Sequence, residues 1–113
     1  MWAICADTDE EARRLASSIA MSFAMLRQGR PIPVPPPEKA LRFLARHGDP
    51  GSGRRRIVGS AETVRRGIEA VAAEYGADEV IVVTITHDHG ARRRSYELIA
   101  EAFELARPAA RAA

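Results

Sequence analysis

Six consecutive residues constrain the fold more than any others: Val80, Ile81, Val82, Val83, Thr84 and Ile85 form the only long continuous apolar run in the chain, and five of the six are valine or isoleucine. A strand with one wet face alternates apolar and polar residues, whereas an unbroken β-branched run of this length reads as a strand buried on both faces, the habit of parallel sheets. Parallel strands need crossover connections, so the residues before the run should supply helices.

The rest of the chain meets that requirement. Trp2 to Ala6 is a short apolar stretch that ends in Asp7, Thr8, Asp9, Glu10 and Glu11, where Thr8 and Glu11 have the spacing of a capping box. From Asp9 to about Gln28, Leu15, Ile19, Phe23 and Leu26 recur at helical spacing beside Ala12, Ala16 and Ala20, opposite Arg13, Arg14 and Ser17. Gly29 stops this helix, and Pro31, Pro33, Pro35, Pro36 and Pro37 make a stiff connector. Pro37 opens a short helix carrying Ala40, Leu41, Phe43 and Leu44, closed by Gly48. The loop Asp49, Pro50, Gly51, Ser52, Gly53 is expected to be mobile. A very short strand at Ile57 and Val58 turns at Gly59, and Ser60 can cap a helix with Val64, Ile68, Val71 and Tyr75 on one face and Gly76 as its left-handed terminator. After the run, Thr86, His87, Asp88, His89 and Gly90 lead into a last helix with Tyr96, Ile99, Phe103 and Ala106 aligned, which Pro108 brings to a close.

The order strand, helix, short helix, short strand, helix, strand, helix argues for a single α/β domain over residues 1–107, with about three parallel strands and right-handed crossovers, and for a disordered tail over 108–113. At 113 residues the chain is about half the length of a closed eight-stranded α/β barrel, so any barrel would be present only as a segment. With 46% apolar and 28% charged residues it is too hydrophobic for a disordered chain. No apolar run approaches the ~20 residues that span a bilayer, and the start at Met1 has no basic leader, so a cytoplasmic protein is expected. Cys5 is the one cysteine, and its apolar neighbours make it a buried structural thiol.

Four blocks, taken in order, resemble the C-terminal part of the luciferase-like flavin-dependent monooxygenases. They are Ala6-Asp7-Thr8-Asp9-Glu10-Glu11-Ala12-Arg13-Arg14-Leu15-Ala16, Val58-Gly59-Ser60-Ala61-Glu62-Thr63-Val64, Val82-Val83-Thr84-Ile85-Thr86-His87-Asp88-His89, and Arg94-Ser95-Tyr96-Glu97-Leu98. Ala61 stands where that family commonly has proline, and the stretch from His47 to Gly53 looks shorter and richer in glycine than the family's loop. The resemblance implies a (β/α)8 TIM barrel that binds reduced flavin mononucleotide (FMN) and uses oxygen to oxidise an organic substrate such as an aldehyde. This chain would supply roughly the last three strand–helix units. The same resemblance places the main flavin-phosphate contacts and the acid–base histidine in earlier barrel segments, so a truncated piece is expected to be inactive alone.

Barrel chemistry sits at the C-terminal ends of strands, which here means Asp7, Gly59 with Ser60, and Thr86 to His89. Gly59 and Ser60 at a helix N-terminus, with Arg56 nearby, have the ingredients of a phosphate site; the alternative is an ordinary cap beside solvated arginines. His87 and Asp88 are the catalytic candidates, and Thr86 and His89 the further flavin contacts; alternatively Asp88 caps the last helix and the histidines orient the turn. A metal site would need more ligands than His87, Asp88 and His89, so none is expected. Three strands cut from a barrel leave open edges, which predicts a homodimer or higher homo-oligomer, or a partner supplying the missing N-terminal half. Two other functions fit the same residues: a non-enzymatic oligomeric assembly module, and a nucleic-acid binder using Arg54 to Arg56 and Arg92 to Arg94, which lacks accompanying aromatic residues for stacking.

Overall fold

The computed structural model describes residues 1–49, 51 and 55–105. In chain order the elements are β1 (Trp2–Cys5), α1 (Asp9–Arg27), α2 (Pro37–His47), β2 (Arg56–Gly59), α3 (Ala61–Tyr75) and α4 (His89–Ala102). The loop from Asp49 to Gly53 falls mostly outside the described residues, as do Ala106, Pro108 and the tail expected over 108–113.

Local signals in the sequence set the helix ends. Thr8 accepts a hydrogen bond from the Glu11 amide at 3.1 Å and caps α1, while the Glu11 carboxylate pairs with Arg14 instead of returning to Thr8, so only half of the capping box forms. Pro37 opens α2 and Gly48 ends it; Gly76, with φ of 60°, closes α3 in the left-handed region that glycine enters without strain. Asp88 caps α4 by accepting from the Ala91 amide at 2.8 Å. Ser60 occupies the N-cap position of α3, yet its side chain makes no capping hydrogen bond.

β1 is the central strand. β2 pairs with it in parallel, from Trp2 opposite Arg56 to Cys5 opposite Gly59. The run 80–85 lies parallel on the other side and corrects two expectations. It forms a single bridge, Trp2 to Val83, rather than a third strand, and it is not buried on both faces, since Ile81 is 72% and Val83 36% exposed. The first departure has a local cause. Val83 exchanges backbone hydrogen bonds with Met1 and Ala3, after which side chains take over: the Thr84 hydroxyl donates to the Ala3 carbonyl at 2.7 Å and the Cys5 amide donates to Ser95 Oγ at 2.9 Å. The second follows from position, because the run is an edge and α1 reaches only its Ile85 end. Tyr75 and Leu26, aligned with apolar faces in the sequence, are also exposed, being at the last turns of α3 and α1.

Alternation along β1 divides the core. Ile4 and Ala6, with Val58 and Ile85, pack against Ala12, Leu15, Ala16 and Ile19 of α1, and Trp2 stacks on Phe23 with ring centroids 4.5 Å apart. Ala3, Cys5 and Ile57 face the other way, onto Val64 and Ile68 of α3 and Leu98 and Ile99 of α4. Each fully buried Leu, Ile or Val contributes ~1.5–3 kcal/mol. One connection leaves β1 for β2 and the next passes back across β1 to the run; two crossovers of one hand running in opposite directions put their helices on opposite faces, as here. The described residues thus form a helix–sheet–helix sandwich, whereas an arc of a barrel carries its helices on one face.

Candidate functional site

Parallel strands release their chains at the same end, so Ala6 to Asp9, Ser60, and Thr86 to Asp88 gather at one edge of the sheet. In such sheets a crevice opens where neighbouring strands send their connections to opposite faces. Both flanks of β1 satisfy this condition, and they differ in what fills them.

Between β1 and β2 the space is closed. Asp9 reaches across so that its Oδ1 accepts from the Ser60 amide at 2.6 Å and from the Thr63 hydroxyl at 3.0 Å. The carboxylate therefore occupies the anion-binding end of α3 from within the molecule. The Ser60 amide is the main cause that holds Asp9 below the usual aspartate value, with the Thr63 hydroxyl second. Gly59 is needed for this closeness, since a Cβ there would lie 2.6 Å from Thr63 Cγ2 and 2.7 Å from Asp9 Oδ1.

Beyond the end of β1, between the starts of α1 and α4, a crevice of about 240 Å³ stays open, lined by Ala6, Asp7, Glu11, Asp88, Gly90 and Arg94 among others. Asp7 and Arg94 pair across it at 2.9 Å, and Glu97 lies 3.6 Å from the same guanidinium. Cys5 contributes to the wall but is 1% exposed; burial first, and then the Asp7 carboxylate, push its thiol up to about 11, so it is no nucleophile at neutral pH. The crevice can orient a polar group by its ion pair.

The residues singled out in the sequence separate in space. Arg56 opens β2 and Gly59 ends it, which puts them roughly 10 Å apart by strand rise; Arg56 pairs with Asp49 at 3.3 Å. Ser60 gives its amide to Asp9. Asp88 caps α4, and the Thr86 hydroxyl donates to the Asp88 carbonyl at 2.6 Å. His87 Nδ1 is 2.9 Å from the Val34 carbonyl, which ties the proline-rich connector to the end of the run. His89 is the exposed first residue of α4. Asp88 alone among them lines the open crevice, with Asp7 beside it.

Sequence reasoning missed the groups that hold this end together: Asp9, Thr84, Ser95 and Tyr96. The Thr84 amide donates to the Tyr96 phenol at 3.0 Å, Arg92 Nε donates to the Thr84 carbonyl at 3.0 Å, and the phenol is shifted below its ordinary value by that amide first and by Arg92 next. These bonds occupy both outward backbone groups of Thr84 and blunt the sheet edge. The run of Arg-Ser-Tyr in the sequence was the available signal, and only packing assigns its roles. The arginines of the two clusters are largely engaged: Arg55 with Glu74, Arg56 with Asp49, Arg92 with Thr84 and Arg94 with Asp7, while Arg54 lies outside the described residues. Among the described residues no group of three or more His, Cys, Asp or Glu is placed to hold a metal ion, and no helix is long and apolar enough to cross a membrane.

No family model matches the chain. It is similar to a luciferase-like monooxygenase of Escherichia coli, 32% identical over 99 residues that cover 84% of this chain and 30% of that protein. It is also 32% identical over 108 residues to the uncharacterized Bacillus subtilis protein YwcH, covering 91% of this chain and 32% of YwcH. The fold aligns with the crystal structure of apo-MsnO8 with a TM-score of 0.87 and 34% identity, over 96% of this chain and 34% of that one. The chain thus spans about a third of the length of the proteins it matches. These similarities make it a relative of monooxygenase type.

Proposed function

We propose that this chain is the C-terminal part of a flavin-dependent luciferase-like monooxygenase, which uses reduced FMN and oxygen to oxidise an organic substrate such as an aldehyde, and that its own contribution is scaffold and crevice wall. The observation that carries this reading is the 32% identity to the Escherichia coli luciferase-like monooxygenase along 84% of the chain. The four blocks that suggested the family lie on the turn after β1 with α1, on β2 with α3, on the run 80–85 with the turn that follows it, and on α4.

The strand ends among the described residues do not fit a whole FMN. The open crevice, at about 240 Å³, is below the ~300–1,000 Å³ usual for cofactor sites, and the N-terminus of α3 already holds the Asp9 carboxylate. In this reading the flavin is held by residues beyond those described, and the two thirds of each relative that the chain does not match have room for them. The cytoplasm is the expected location.

The test is a chimera in which this chain replaces the matching 99 residues of the Escherichia coli protein. The chimera is expected to quench FMN fluorescence on binding as the parent does, while the chain alone leaves that fluorescence unchanged. A folded chimera that no longer binds FMN overturns the reading. A second reading, an oligomeric assembly module, is favoured by Ile81 and Val83, exposed at the edge of the sheet. It expects a homodimer or higher homo-oligomer by light scattering, and a monodisperse monomer removes it.

A further inference from the structure

Most cations among the described residues have an acid or a carbonyl as partner, and the largest group that does not lies on α2. Among the described residues Lys39, Arg42 and Arg46 of α2 take part in no ion pair or hydrogen bond, and Glu38, the acid of that helix, is 2.8 Å from Arg14 of α1. Their spacing of three and four residues stacks them on one face of α2, where like charges repel. That face borders a groove of about 490 Å³ whose lining adds Met21 of α1, Phe43 and His47 to the three cations. Met21, 6% exposed, lies at the base of the groove, and the Phe43 ring lies tilted against His47 with centroids 4.5 Å apart. The groove is twice the size of the strand-end crevice and lies on the side of α1 that carries α2.

Apolar side chains beside three uncompensated cations are complementary to one kind of molecule. We propose that the groove between α1 and α2 binds a small amphiphilic organic anion, with its carboxylate or phosphate head held by Lys39, Arg42 and Arg46 and its apolar body laid against Phe43 and Met21. The size of the groove falls within the ~300–1,000 Å³ that small-molecule sites occupy. Arginine and lysine hold such heads by charge-assisted hydrogen bonds, and an anion here also relieves the repulsion along α2. The inference does not rest on the monooxygenase reading.

Titration calorimetry with decyl phosphate, decanoate and decanol on the full chain tests it, with α2 amide shifts by NMR locating the site. Both anions are expected to bind with shifts confined to α1 and α2, decanol about tenfold more weakly, and the anions more weakly as salt rises. The double variant R42Q/R46Q changes exposed side chains without partners, so its thermal midpoint should stay at or above the parent value while anion affinity falls about tenfold. Equal binding of decanol and decyl phosphate, or undiminished binding by R42Q/R46Q, overturns the proposal. So does binding to anionic vesicles of phosphatidylglycerol without binding to either soluble anion, which would make α2 a membrane-surface helix instead.

Discussion

The two flanks of β1 have the same strand polarity and end in the same kind of turn, yet one is sealed and the other open. On the β2 side a four-residue ladder runs to the end of both strands, and Asp9 then fastens the start of α3. On the other side the ladder stops at Val83, and Thr84, Ser95 and Tyr96 complete the hydrogen bonding with side chains. Backbone pairing carried to the strand ends draws the following turns together and leaves no space. Side chains that substitute for it satisfy the same polar groups, and a crevice remains between the starts of α1 and α4.

The largest expected effect breaks the sealed flank. Gly59→Ala places a methyl group where Thr63 and Asp9 already stand, and overpacking of this kind should cost about 3 kcal/mol in urea unfolding. If Gly59→Ala is neutral, the turn is looser than described and the two flanks are less distinct.

Ser95→Ala probes the open flank. It leaves the buried Cys5 amide without its hydroxyl partner and is expected to lose about 2 kcal/mol in the same experiment. A loss much smaller than that would mean that water or a shifted Ile85 carbonyl replaces Ser95, so that the ladder on this side can extend.

A smaller effect sharpens the comparison through pH. Because the folded state holds Asp9 below the ordinary value of 3.8, the stabilisation from its ionised form is present above that value and lost as the pH falls through the lowered one. Asp9→Asn should therefore be less stable than the parent near neutrality, with the gap closing below about pH 4. Parallel acid profiles for the two proteins would show that Asp9 does not act as the clamp.

The smallest effect concerns the wall of the crevice. Cys5, with its thiol pushed up to about 11, should resist iodoacetamide at pH 8 until the protein unfolds. Labelling of the folded protein at the rate of a free thiol would mean that the crevice opens down to β1.

Much of the fold is legible in the residues because its signals act over short distances. Thr8 and Asp88 cap helices three residues away, Pro37 and Gly76 mark a beginning and an end, and alternation in Ala3, Ile4, Cys5 and Ala6 divides the core between two faces. The candidate site was legible only in outline. Asp7 and Asp88 follow from strand ends, but Arg94 was one arginine among three until tertiary structure set it beside Asp7, 87 positions away. The unbroken run 80–85 suggested complete burial because composition reports how apolar a segment is, not how far a neighbouring helix extends over it.

The amino-acid sequence by itself determined which segments become helices and where α1, α2 and α3 stop, since propensity, capping and periodicity are properties of neighbouring residues, whereas α4 ends at Ala102, short of the stop expected at Pro108. Tertiary structure alone decided that β1 is central, that Asp9 reaches Ser60 across 51 positions and that Ser95 reaches Cys5 across 90. Those contacts join segments whose meeting carries no local signature, and they exist only once burial of the two faces of β1 has brought the helices around it.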